Sequence, residues 1–172
     1  DEPAGYAIMP QMTRVGSSEL LASIRCREGN RSWIDHYRSA DGGQSWSPVS
    51  SPVKNSLMSV HFRDARHGVA VGLAGTVLVS ADGGASWQEA PPLTREHLNC
   101  VIWDGAQWVA VGDKGMRVQA GAEANDWKAG RISDKDLSWR TQVVRTADDF
   151  VLAGANLAVL HKDELRILGR DE

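Results

Sequence analysis

An octapeptide that returns after a fixed interval constrains this chain more than any other feature. Ser39-Ala40-Asp41-Gly42-Gly43-Gln44-Ser45-Trp46 recurs 41 positions later as Ser80-Ala81-Asp82-Gly83-Gly84-Ala85-Ser86-Trp87, with one residue changed. Self-similarity at such a period marks a repeat architecture, in which no single unit buries its own apolar surface. The octapeptide itself reads as a hairpin turn. Asp-Gly-Gly tolerates the positive φ that tight hairpins need. The Ser hydroxyl and Asp carboxylate can accept the turn's own backbone N–H groups, and the Trp folds back over the turn and anchors it.

Strands flank both copies. Residues 4–15 read as a strand interrupted by Pro10, a residue suited to an edge or bulge. From Glu19 to Arg27 the pattern alternates, with Leu20, Ala22, Ile24 and Cys26 on one face and Leu21, Ser23, Arg25 and Arg27 on the other. Residues 33–39 and 45–49 complete a four-stranded meander, the unit of a propeller blade. A second unit follows, with strands at 57–63, 69–72, 75–80 and 87–90. In the third, Val109-Ala110-Val111-Gly112 repeats Val69-Ala70-Val71-Gly72, but the octapeptide has decayed: Ala122 stands in the Asp position while Trp127 keeps its place. The fourth unit has strands at 139–146, 150–154, 157–161 and 165–168, with a tight turn at Asp163-Glu164. The fold expected is all-β: one propeller domain over 1–172, of about four four-stranded antiparallel blades at 4–50, 56–91, 97–130 and 138–169, without helix. The small residues of Val-Ala-Val-Gly are expected on the inner strands, near the axis. A monomer closed by Leu20, Ile24 and Ile34 packing toward Phe150 and Leu157 is expected over a homodimer.

The pattern S-x-D-x-G-x-S-W, carried by Ser39, Asp41, Gly43 and Trp46 and again by Ser80, Asp82, Gly84 and Trp87, resembles the Asp-box or BNR repeat. That family places the motif between the third and fourth strands of a blade. The run from Phe62 to Trp87 is similar to the repeats of photosystem II stability and assembly factors and their bacterial relatives. This resemblance implies a non-enzymatic scaffold that binds a protein or peptide partner, in a periplasmic or secreted setting. The first unit, through Tyr6–Pro10, Leu20–Arg25 and Trp33–Ser39, resembles the opening of bacterial sialidase-like glycosidases, which implies the alternative of a glycan-binding or degenerate sialidase-like domain. The catalytic set of that family is incomplete. Ala7 stands in its Arg position, the loop after the second strand offers Glu28 but no Asp, and no Tyr follows Tyr37. No catalytic residue is assigned.

Chemistry elsewhere is sparse. The net charge of −3 gives no footprint for nucleic acid, and neither a signal peptide nor an apolar run of membrane-spanning length is read. Cys26 and Cys100 lie in strand-like runs and read as buried free thiols. The histidines at 36, 61, 67, 97 and 161 lack ligand spacing, so no metal or other cofactor is expected. Asp64 and His67 read as turn caps, and Asp41 and Asp82 as structural. Most of Trp33, Trp103, Trp108 and Trp139 read as blade-face core. The candidate binding positions lie in loops that join second to third strands or connect blades: Arg31, Arg95, His97, Asp113, Lys114 and Asn156. Arg25, Arg27 and Glu28 read as a solvated strand end, with an anion site as the alternative.

Overall fold

A computed structural model of the chain describes residues 11–15, 17–28 and 31–169, with side chains at 12–15, 17–22 and 36–169. Within them, four antiparallel sheets each hold four strands in sequence order. The first comprises β1 (Gln11–Arg14), β2 (Leu20–Glu28), β3 (Arg31–Ser39) and β4 (Ser47–Val49); the second β5 (Leu57–Phe62), β6 (Gly68–Gly72), β7 (Val77–Ser80) and β8 (Gln88–Glu89). The third comprises β9 (Leu98–Trp103), β10 (Trp108–Gly112), β11 (Met116–Ala120) and β12 (Lys128–Arg131); the fourth β13 (Arg140–Arg145), β14 (Asp149–Gly154), β15 (Leu157–His161) and β16 (Glu164–Ile167). This is a β-propeller arrangement of blades. The segment before residue 11, with Pro10 and Ala7, lies outside the described residues.

Period-two alternation sends each blade's apolar residues to two opposite faces, and in the second and third blades both faces are buried by neighbouring blades. One core joins Val69, Val71 and Val77 of the second blade to Leu98, Val101, Trp108, Ala110 and Val118 of the third. Another joins Cys100 and Val111 of the third to Val143, Leu152, Ala158 and Leu160 of the fourth. Trp108, 1% exposed, sits edge-on to Trp103 at 5.3 Å and to His61 at 6.2 Å between ring centroids. Such aromatic contacts add about 1 kcal/mol to area burial. Cys100 is a buried free thiol whose pKa is pushed up by burial.

The innermost strands are not those expected. The first strands β1, β5, β9 and β13 pack on one another in succession, whereas Val-Ala-Val-Gly forms the second strand. Its small residues serve blade-to-blade packing: β6 and β10 are buried along their whole length. Packing among the described residues runs from first to second, second to third and third to fourth blade. Among the described residues no comparable packing joins the first to the fourth. The Leu20 side chain instead lies over Gly43 of its own blade, Phe150 packs into the core with the third blade, and Leu157 is 47% exposed. The side chains of Ile24 and Ile34 lie outside the described residues.

Between second and third strands the chain makes a tight turn at Leu73–Gly75 and at Asp113–Gly115. Positive φ at Ala74 and Gly75, and at Lys114 and Gly115, gives the primed geometry that matches strand twist. The strand-ending glycine has a different cause. A Cβ on Gly112 would lie 1.9 Å from the His97 carbonyl oxygen, and one on Gly72 would lie 2.1 Å from that of Ser56. Connectors between blades cross the turns at these points. Gly112→Ala is expected to cost about 3 kcal/mol, whereas Gly130→Ala, which meets nothing within 4 Å, stays within about 0.5 kcal/mol; urea midpoints compare the two.

The two intact octapeptides fold alike. In the second, Gly84 N–H donates to Ser80 Oγ (2.8 Å), Ser86 N–H to Asp82 Oδ1 (2.9 Å) and Ser86 Oγ to Asp82 Oδ2 (2.6 Å). The first repeats these bonds through Ser39, Asp41 and Ser45, and Trp46 Nε1 donates to Gly43 O at 3.1 Å. Ser45's hydroxyl and N–H, with Ser39's hydroxyl, hold the Asp41 carboxyl well below its ordinary value. The third turn is transposed rather than lost. Asp126, where the other blades have Ser45 and Ser86, reaches back to accept from Gly121 N–H at 2.8 Å. Ala124 takes the positive φ of Gly84, and Trp127 Nε1 donates to Ala124 O at 2.8 Å. In the fourth blade the tight turn is Lys162-Asp163, because Glu164 pairs with His161 and Lys162 carries the positive φ. Asp64 caps its turn as expected, accepting from Arg66 and His67 N–H groups at 2.8 Å.

Burial works to raise the Asp82 carboxyl, and the bonds from Ser86 and Ser80 outweigh it, so its pKa is lowered. A carboxyl held below its unfolded value of about 3.9 contributes stability that is complete above that pH and is lost as pH falls toward the folded value. Asp82→Ala is expected to cost about 1 kcal/mol at neutral pH and to flatten the loss of stability below about pH 4, as read by urea denaturation across pH.

Candidate binding surface

The hydrogen-bonded turns above occupy one end of the blades. The other end gathers the loops between second and third strands together with the connectors between blades. Backbone bonds fix these segments on one another: Leu73 N–H donates to Ser56 O (2.9 Å), Asp113 N–H to His97 O (2.9 Å), Gly115 N–H to Ser138 O (3.0 Å) and Ala155 N–H to Trp139 O (3.1 Å). Each connector is therefore bonded to a turn, and the side chains between them stand on rigid backbone.

Five of the expected positions come together here. His97 Nδ1 accepts from Ala74 N–H at 3.0 Å, tying the second blade's turn to the third blade's connector. Lys114, exposed, reaches Glu96 Oε1 at 3.1 Å, and the Arg131 guanidinium donates to Lys114 O. Asp113 accepts from Asn99 Nδ2 at 2.9 Å, and the same amide donates to Arg140 O at 3.1 Å. Asn156 receives Arg140 Nη1 on Oδ1 at 2.6 Å and donates through Nδ2 to Ser138 Oγ at 3.2 Å. Arg95 is exposed beside Glu96. The side chains of Arg25, Arg27, Glu28 and Arg31 lie outside the described residues. Their backbone forms the β2–β3 end, where Glu28 pairs with Arg31.

Arg140 anchors the far side of this surface and escapes a reading by motif. It is 1% exposed, bonded to Asp136 Oδ2 at 2.5 Å and to Asn156, while its buried Nε has no hydrogen-bond partner among the described residues. Its position in the ladder, opposite Gly154, is that of Leu57 opposite Gly72 and Leu98 opposite Gly112. Arginine where two other blades place leucine is the signal that aligned repeats contain. Among the described residues no cluster of His, Cys, Asp or Glu is placed to hold a metal ion, and no helix is long and apolar enough to cross a membrane. Trp108 is core and Trp103 half-buried, but Trp139 is 48% exposed at this end. With exposed Lys114, Arg95 and Arg131 at the same end, the surface offers charged donors and an aromatic face, the equipment for gripping a polar chain.

Comparisons with known proteins agree with the blade geometry. The model of the family described as Photosynthesis system II assembly factor YCF48 matches residues 38–157. A stretch of 95 residues is 34% identical to the photosystem II assembly protein Ycf48 of Synechococcus sp. (strain JA-2-3B'a(2-13)), covering 52% of this chain and 28% of that protein. Among solved structures, one of YCF48 bound to D1 peptide superposes with a TM-score of 0.61 at 15% identity, over 95% of this chain and 58% of its own. YCF48 from Cyanidioschyzon merolae does so at 0.58 and 13%, over 87% and 53%. The chain spans little more than half the length of these structures and about a quarter of the curated relative. Arg140→Ala removes the buried ion pair with Asp136 and the bond to Asn156 and is expected to cost about 3 kcal/mol in urea denaturation.

Proposed function

The chain belongs to the Photosynthesis system II assembly factor YCF48 family, and from that membership we propose that it is a non-enzymatic propeller scaffold whose loop end binds a protein or peptide partner, in the manner of an assembly factor. The observation that carries this reading is the loop end itself. Exposed Lys114 stands on a turn, Arg95 on a connector and Arg131 at the end of β12, held by backbone bonds of Asp113 to His97, of Gly115 to Ser138 and of Ile132 to Gly115, so they are presented without the entropy loss of ordering a loop. A family structure is described as bound to D1 peptide, and an extended peptide laid across the loop end of this chain would meet those cations. Its compartment, on the same reading, is periplasmic or secreted.

Calorimetric titration with D1 peptide tests the proposal. Lys114→Ala and Arg95→Ala are each expected to weaken binding about fivefold, close to 1 kcal/mol, and Asp82→Ala at the opposite end is expected to leave affinity unchanged. Absence of binding, or binding lost through Asp82→Ala alone, would refute the loop-end reading.

A further inference from the structure

Among the described residues, three connectors lead from one blade to the next, and the ladders align them position for position. Leu57, Leu98 and Arg140 each stand opposite the glycine that ends the second strand. One residue earlier, the carbonyls of Ser56, His97 and Trp139 each accept the amide that follows that glycine. Two residues before these lie Lys54, Arg95 and Leu137. In the first two connectors the outward positions are polar and the inward one is apolar: Lys54, Arg95 and His97 are exposed, Leu57 and Leu98 buried. The third connector is turned inside out. Arg140 is 1% exposed, and its partner Asp136 keeps a side chain that is 14% exposed, whereas Leu137 is 55% and Trp139 48% exposed.

Folding alone does not account for this inversion. A buried ion pair stabilises no more than apolar side chains of its volume, and leucine fills the Arg140 position in two other blades. Nor does Trp139 replace what it displaces. His97 accepts from the preceding blade's turn at Ala74 N–H, whereas an indole nitrogen only donates. What the inversion does achieve is a rigid outward display. Ser138, between the two exposed side chains, donates its N–H to Asp136 Oδ1 (2.9 Å), accepts from Gly115 N–H on its carbonyl (3.0 Å) and accepts from Asn156 Nδ2 on its hydroxyl (3.2 Å). The exposure belongs to the position, since Arg95 and His97 are exposed in a connector with blades on both sides.

We propose that Leu137 and Trp139 are an apolar anchor for one side chain of a bound peptide, and that the peptide carries an aromatic or aliphatic residue beside acidic ones. The anchor rests on the loop-end reading above and adds to it the residue type recognised. Trp gives a large, rigid apolar surface at little entropic cost, which is why binding energy concentrates on such residues. The acidic neighbours follow from charge. The turn amide bonded to Ser138 comes directly after Lys114, and the Arg131 guanidinium donates to Lys114 O. Two exposed cations therefore flank the anchor on the third blade's side. They orient an acidic segment and set its register, while Leu137 and Trp139 select the residue that docks.

Fluorescence anisotropy tests this with two labelled peptides of Glu, Ser and Gly, alike except for a central Phe in one and Gln in the other. The Phe peptide is expected to bind about tenfold more tightly. Trp139→Gln and Leu137→Gln, both at exposed positions and so with unchanged circular dichroism, should each remove most of that preference and leave affinity for the Gln peptide as it was. Lys114→Ala should weaken both peptides alike. Equal affinity for the two peptides, or a preference that survives both substitutions, would overturn the anchor. So would light scattering that gives two chains for the unmodified protein and one for Trp139→Gln, because a second copy would then cover the patch. Titration with D1 peptide separates the two readings. If that binding depends on Lys114 while the Phe preference is missing, the loop-end reading stands and the anchor falls; if no peptide binds, both fall.

Discussion

Backbone meeting backbone with no room for a side chain is the contact on which this structure depends. Where the second strand of a blade ends, the connector carbonyl of Ser56 or His97 occupies the place a Cβ would take on Gly72 or Gly112. The next amide donates to that same carbonyl, from Leu73 and from Asp113. The approach is close because the bond and the missing Cβ coincide. It sets the distance between the first two strands at one end of the blade, and so the angle at which the next blade begins. The register shifts beside these glycines, at Leu57/Ser59, Val111/Gly112 and Arg140/Gln142, lie where the first strand must bend to make the contact.

Given that fixed entry angle, the apolar faces do the rest. A sheet buried on both sides needs apolar residues on both faces, and β6 and β10 meet the need with Val-Ala-Val between glycines or between a tryptophan and a glycine. Polar links between neighbouring first strands add direction to this otherwise non-directional packing: Val101 N–H donates to Ser59 Oγ at 3.1 Å, and Asn99 donates to Arg140 O. Buried donors without partners are expensive, so blades cannot slide without breaking these bonds.

The blades were legible in the sequence because the duplicated turn pins third to fourth strand and the Val-Ala-Val-Gly echo pins the second. Periodicity did not say which strand is innermost. β6 and β10 are the most apolar strands, but their burial comes from two neighbouring blades, and the first strands reach the axis with mixed residues such as Met58 and Asn99. At the loop end, exposed charges such as Lys114 could be named from loop position alone. Arg140 could not, since an isolated arginine at a strand start carries no signal until the repeats are stacked by register. Asp126 was hidden by alignment itself: matching position for position finds Ala122 opposite Asp82 and stops there, whereas the carboxylate that caps the turn arrives from the other side of the hairpin.

That displaced carboxylate bears on how such chains age. A hairpin that can be capped from either flank has two genetic solutions of similar shape, and a lineage can cross from one to the other without passing through an uncapped ancestor if both acids are briefly present. Motif loss then marks a change of supplier rather than the decay of a blade. Counting intact octapeptides underestimates the number of blades, and the shape of a repeat outlives the consensus by which it is recognised.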